Sequence, residues 1–319
     1  MHERVGSFVF VCAIASLIGG DANAQVLTQI EDFGDNPGEL LMFEYVPEEL
    51  PAHAPLVVAL HGCTQTASDY DDETGWIDLA DQFGFAMVFP EQRRGVTFAD
   101  CFDWYLPTDN QRDIGEPASI FAMVVSMFDR YALDPDRVFI TGFSGGAAMS
   151  SVMLATYPEV FSAGALIAGI PYDCARSFEE GLACLQDPGD VTGREWTERV
   201  LAATDYEGPW PQVTVWQGRD DTTVGPRNAR AISRQWRGVH GARFKIRFRS
   251  GRGETTTRWF DRRGRLAVER IMLRDVGHGV PIDPQNGCGV EGVFAFDLGI
   301  CSSRRIAQTW GIMPSEREH

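Results

Sequence analysis

Val138-Phe139-Ile140-Thr141-Gly142-Phe143-Ser144-Gly145-Gly146-Ala147-Ala148-Met149 joins an apolar, strand-like run to a helical start of small residues, with a serine at the junction. Glycines stand two positions away on either side of that serine. A strand-to-helix turn this tight requires strained backbone angles of its central residue, and the flanking glycines let strand and helix approach without side-chain clash. The bare G-x-S-x-G pattern is common by chance. Its position between a buried strand and a helix is what gives it chemical meaning, because that geometry holds a serine hydroxyl out as a nucleophile. A glycine-rich helix start with no chemistry is the competing reading, and it is decided by whether partners for the serine exist.

Outward from this junction the chain alternates strands and helices. Leu56–Leu60, Phe85–Phe89, Val138–Ile140, Ala165–Ile167 and Val213–Trp216 are continuous apolar runs. Such runs suit parallel strands buried on both faces. Helical patterns lie between them at Trp76–Phe83, Ala118–Tyr131 and Ala147–Tyr157. This alternation predicts an α/β fold: a doubly wound, mostly parallel sheet with helices on both faces. Residues 172–211 interrupt the rhythm and are expected to form an insertion over the sheet edge. Arg243–Phe248 reads as a strand with one solvated face, carrying the only lysine, Lys245.

A serine hydroxyl needs a neutral imidazole to take its proton. Of six histidines, His2 lies in the leader and His319 in a polar tail, while His53 and His240 read as solvated loop residues. His61 ends a strand and suits a structural or positioning role. His278 remains, in a glycine-flanked loop after the strand-like Arg265–Leu273. The orienting acid is expected between serine and histidine in chain order. Gln217-Gly218-Arg219-Asp220-Asp221 offers two carboxylates there, and spacing alone leaves both open. An oxyanion needs two backbone N–H donors. Gly145, after the serine, supplies one, and Cys63 in the loop His61–Thr64 supplies the other.

The 319-residue chain carries 45 acidic and 28 basic residues, a formal charge of -17. That balance argues against nucleic acid and against polybasic membrane attachment. No C-x-x-C or H-E-x-x-H pattern suggests a zinc site. Met1–Ala24, with an apolar Val5–Ile18 core and Ala22-Asn23-Ala24 before Gln25, reads as a removable signal peptide. Residues 25–319 are then expected to be one catalytic domain, secreted or periplasmic, with no membrane insertion once the leader is gone. Cys12 leaves with the leader. Six cysteines allow fifteen connectivities; local spacing favours Cys174 with Cys184 and Cys288 with Cys301, leaving Cys63 for Cys101.

Leu60-His61-Gly62-Cys63-Thr64-Gln65, Phe89-Pro90-Glu91-Gln92, Cys101-Phe102-Asp103-Trp104-Tyr105, Gly142–Met149, Ala155-Thr156-Tyr157-Pro158, Trp216–Val224 and Val276-Gly277-His278-Gly279 together resemble the esterase/polyhydroxybutyrate (PHB) depolymerase family. That family includes enzymes similar to feruloyl and acetylxylan esterases. The resemblance covers almost the whole chain after the leader. It implies an α/β-hydrolase fold and a serine carboxylic ester hydrolase without cofactor. The implied substrate is a hydroxyalkanoate polyester or oligomer, with plant-wall esters of the feruloyl or acetylxylan type as the alternative. The family's G-x-x-D-x-x-V motif falls on Gly218, Asp221 and Val224, which selects Asp221 and gives the set Ser144, Asp221, His278. Two departures stand out: Gln217 replaces the usual histidine, and Gly145-Gly146-Ala147 replaces Ala-Gly-Gly. Phe143 and Gly279 occupy the places where tannase-like relatives carry cysteines. Trp104, Tyr105 and Tyr172 are candidates for holding an acyl chain or ring.

Overall fold

The computed structural model describes residues 27–250 and 253–313; the expected leader lies outside them. Ten strands form one sheet: β1 (Thr28–Ile30), β2 (Leu41–Tyr45), β3 (Ala54–Leu60), β4 (Ala86–Glu91), β5 (Leu133–Phe143), β6 (Ala163–Ile167), β7 (Gln212–Gly218), β8 (Phe244–Arg249), β9 (Glu254–Phe260) and β10 (Leu266–Leu273), in the order β1-β2-β4-β3-β5-β6-β7-β10-β9-β8. From β4 to β10 neighbouring strands run parallel, and antiparallel pairs close both edges. Short β11 (Val280–Ile282) and β12 (Ala295–Asp297) form a separate parallel pair.

The helices are α1 (Ala67–Thr74), α2 (Trp76–Phe83), α3 (Gly115–Arg130), α4 (Gly145–Thr156), α5 (Phe178–Gln186), α6 (Gly193–Leu201), α7 (Arg227–Val239) and α8 (Ser302–Thr309). They divide between the two faces of the sheet because the strands alternate. Leu56, Val58 and Leu60 of β3 join the core under α3, α4, α6 and α7, whereas Val57 and Ala59 join the core under α1, α2 and α8. Both-face burial is what the continuous apolar runs demanded. On the second face Trp310 stacks between Trp76 and Phe139, at 5.8 and 5.0 Å between ring centroids.

Residues 172–211 do not cover a sheet edge as expected. They connect β6 to β7, adjacent strands in the middle of the sheet, and contribute α5 and α6. A connection between central neighbours emerges above the strand ends, so this segment roofs the crevice there. The expectation for β8 is also corrected. Both of its pleat faces are exposed, including Phe244, Ile246 and Phe248, because it is the last strand of the sheet. His240, expected in solvent, is half-buried, and its Nε2 lies 2.9 Å from the Pro211 carbonyl. Burial lowers its pKa.

Candidate active site

Ser144 has φ 54° and ψ -117° between β5 and α4, a left-handed conformation that non-glycine residues rarely adopt. Its amide is held by the Ile167 carbonyl at the end of β6. A Cβ at Gly142 would strike the Gly146 backbone, and one at Gly146 would strike the Leu60 and His61 carbonyls. The glycines are therefore a condition of the turn. Helix α4 is buried along its whole length, which fixes the serine rigidly in the sheet.

Asp221 and His278 follow β7 and β10, so all three groups stand at the carboxyl end of the sheet. His278 Nε2 is 2.9 Å from Ser144 Oγ, and its Nδ1 is 2.8 Å from Asp221 Oδ2. The imidazole rests on Phe143, at 4.7 Å between centroids, and edge-on to Phe294. The neighbouring acids separate cleanly. The Asp221 carboxylate is buried and accepts from Thr223 N and Val224 N on one oxygen, and from Gln217 Nε2 and His278 on the other. Asp220 is exposed and contributes its backbone N–H to the Val276 carbonyl, tying the acid loop to the histidine loop.

Gln217 stands out in the sequence only as a departure from the family pattern. It donates to Asp221 Oδ2 at 3.0 Å and to the Gly218 and Val224 carbonyls, so it holds the acid in place. Gly145 has an equally local cause. A Cβ there would lie 2.9 Å from Cys63 Sγ, so the disulfide occupies the space an alanine methyl would need.

The backbone N–H groups of Gly145 and Cys63, which line the same cavity as Ser144, have no protein acceptor among the described residues. The loop that presents Cys63 is fixed from several directions. Gly62 N donates to Gln65 Oε1, Gln65 Nε2 donates to Glu73, and Thr64 N donates to the Ala99 carbonyl. Cys63 is bonded to Cys101, and the pairs Cys174–Cys184 and Cys288–Cys301 also form. Closing a 38-residue separation constrains the unfolded chain by about 4 kcal/mol. Removing one oxyanion donor costs about 10²–10³ in kcat. A Cys63→Ala/Cys101→Ala variant is expected to lose stability of that order and, at a temperature where it remains folded, to lose kcat as well. Full kcat in the folded double variant would show that the bridge does not hold the oxyanion donor.

Behind this loop His61 is buried, with Nδ1 2.7 Å from the Gly62 carbonyl and Nε2 accepting from Gln92 N at 3.1 Å. The two bonds require the neutral Nδ1–H tautomer. Burial lowers its pKa from 6.5 to about 4. The folded value is depressed, so the stability this group contributes is present above 6.5 and is lost as pH falls to about 4, on the order of 3 kcal/mol. Asp71, pushed up to about 8 by burial, acts in the opposite direction, so the His61 share is a difference. Urea unfolding at pH 7 and pH 4 is expected to show a steeper acid loss in the wild type than in His61→Gln. Equal slopes would remove His61 as the cause.

A cavity of about 330 Å³ opens onto Ser144, Gly145 and His278. Its walls are apolar: Phe98, Trp104, Tyr105, Phe178, Leu185 and Phe294 among others. Trp104 and Tyr105, candidates from the sequence, line this cavity. Tyr172 is not in this cavity. Its OH donates to the Asn110 carbonyl and its backbone is bound at both ends by Gln235, so it anchors the roof segment. The sequence reading missed helix α5, which turns Phe178, Gly181, Leu182 and Leu185 into the cavity. Their i, i+3, i+4, i+7 spacing was the available signal.

The fold and the hydrogen-bonded Ser144, His278 and Asp221 define an α/β-hydrolase, and the relatives that follow place it among serine carboxylic ester hydrolases. The family described as "Esterase PHB depolymerase" matches residues 44–254. Poly(3-hydroxyalkanoate) depolymerase C of Paucimonas lemoignei is 39% identical over 312 residues, covering 96% of this chain and 75% of that protein. Acetylxylan esterase A of Aspergillus oryzae is 33% identical over 262 residues, covering 80% and 85%. The solved acetyl xylan esterase from Aspergillus awamori superposes with a TM-score of 0.76 at 28% identity, covering 90% of this chain and all of that one. The chain belongs to the esterase/PHB depolymerase family.

Proposed function

We propose that residues 25–319 form a single secreted catalytic domain that cleaves hydroxyalkanoate polyester or oligomer esters through an acyl-enzyme, after removal of a leader at residues 1–24. Ser144 Oγ attacks the ester carbonyl while His278 Nε2 takes its proton, and Asp221 holds the imidazole in the tautomer that can accept it. The Cys63 and Gly145 N–H groups receive the negative charge that develops on the carbonyl oxygen. His278 returns the proton to the departing alcohol. A water, deprotonated by the same imidazole, then releases the acid.

The observation that carries the polyester reading is the apolar slot above Ser144, which continues to an apolar rim. Phe98 and Leu182 line the cavity and are 60% and 43% exposed. An aliphatic ester chain fits such a surface, whereas a sugar backbone would leave its hydroxyls without partners. The 39% identity to a poly(3-hydroxyalkanoate) depolymerase supports the same reading. The likeness in fold to an acetyl xylan esterase favours plant-wall esters as the second reading. Three disulfides support secretion; among the described residues no helix is long and apolar enough to cross a membrane.

Turnover of purified protein on 3-hydroxybutyrate oligomers, acetylated xylan and methyl ferulate decides between them. The highest kcat/KM is expected on the oligomers. A preference for acetylated xylan or methyl ferulate would overturn the polyester reading.

A further inference from the structure

Nine of the 28 basic residues fall between Thr222 and Gly253, a stretch without a single Asp or Glu in a chain of net charge -17. The fold gathers them. Arg230, Arg234 and Arg237 follow one another at helical spacing on α7. Across the sheet, Arg270 of β10, Thr257 of β9 and Arg247 of β8 are in register in one row. The next row toward the carboxyl end of β10 is Met272, Thr255 and Arg249. Arg237 and Arg270 both lie over the Trp259 ring, at 5.1 and 5.2 Å from its centroid.

Among the described residues none of Arg230, Arg234, Arg237, Arg247 and Arg270 pairs with a carboxylate, and the buried Nε atoms of Arg237 and Arg270 have no hydrogen-bond partner. Arg230, Arg237, Arg247 and Arg219 all act on Arg270 as repelling neighbours. Like charges gathered without counter-charges are costly unless an anion joins them. A cavity of about 340 Å³ opens beside Arg234, Arg237 and Arg243, with no acid in its walls.

We propose that this face, formed by α7 and the β10-β9-β8 extension, binds an acidic polysaccharide through its uronate carboxylates. Guanidinium groups form paired hydrogen bonds with carboxylates. Along α7 they recur every three to four residues, about 5 Å of rise, which is close to the length of one sugar ring. Nucleic acid suits the face less well. Among the described residues of this face no aromatic ring is exposed for base stacking, since Trp259, Trp236 and Trp196 are buried. A membrane suits it less well too. The exposed Phe244, Ile246 and Phe248 alternate with Lys245, Arg247 and Arg249 and so occupy the opposite pleat face. The charged rows run toward the sheet end that bears Asp221 and His278.

The test is affinity electrophoresis and titration of the full chain with polygalacturonate in low salt, with dextran, single-stranded DNA and phosphatidylglycerol vesicles as parallel arms. Polygalacturonate is expected to bind, dextran not to bind, and added salt to weaken the complex. Arg230→Gln/Arg234→Gln/Arg247→Gln alters exposed side chains only and is expected to weaken binding about tenfold, with turnover of a small soluble ester unchanged. Absence of polygalacturonate binding, equal binding by the triple variant, or tighter binding to DNA or vesicles would overturn the proposal. Because the readout is binding, it stands or falls separately from the catalytic assignment.

Discussion

Ser144→Ala is expected to remove ester hydrolysis almost completely, a loss on the order of 10⁶ in kcat if the site behaves as other serine triads do. In the proposed mechanism this hydroxyl forms the acyl-enzyme, and it is the one held 2.9 Å from His278 Nε2. The fold should survive the change. Alanine meets the same positive φ that serine does, and among the described residues the side-chain bond lost is the one to His278 Nε2. Turnover and thermal unfolding measured on one preparation test this directly. His278→Ala should be almost as severe, and the double variant no worse than either, since the imidazole acts only through the serine. Additive losses, or retained turnover with an unchanged melting curve, would remove Ser144 as nucleophile.

Asp221→Asn should lower kcat by about 10⁴, while Asp220→Asn should change it little. The reason lies in the four bonds the carboxylate accepts. One oxygen faces the Thr223 and Val224 amides, and the other faces Gln217 Nε2 and His278 Nδ1. An asparagine NH₂ group would confront donors in either orientation. Turned toward His278, it forces the imidazole into the tautomer that carries its proton on Nε2, which can no longer accept from serine. Asp220 is exposed, and its contribution to the loop comes from the backbone N–H. Steady-state kinetics of the two single variants decide the matter, and the reverse pattern would transfer the role to Asp220.

Much of the site was legible because chain order and local pattern carry it. The serine turn needs particular residues within five positions, and the order of serine, acid and histidine is a property of the chain. Choosing Asp221 over Asp220 was not legible from spacing. Two adjacent aspartates differ only in which way the loop turns them, and a motif shared with the family was required to separate them. Tyr172 was misplaced for a related reason. An aromatic next to a strand end reads the same whether its ring lines a pocket or braces a loop, and here its OH is taken by the Asn110 carbonyl.

The amino-acid sequence by itself determined the alternation of strands and helices and the nucleophile turn, and favoured the two short-range cysteine pairs, because each depends on periodicity or on separations along the chain. Tertiary structure alone decided what depends on distances between remote segments. It turned Gln217 into a clamp on the Asp221 carboxylate. It placed α5 over the cavity, since residues 172–211 join central strands and must leave the sheet above their ends. It required glycine at 145, where the Cys63 sulfur fills the space of a methyl group. It also gathered arginines from a helix, two strands and a loop onto one face, which net charge concealed: a sum over the chain records how much charge is present, and only the fold determines where it acts.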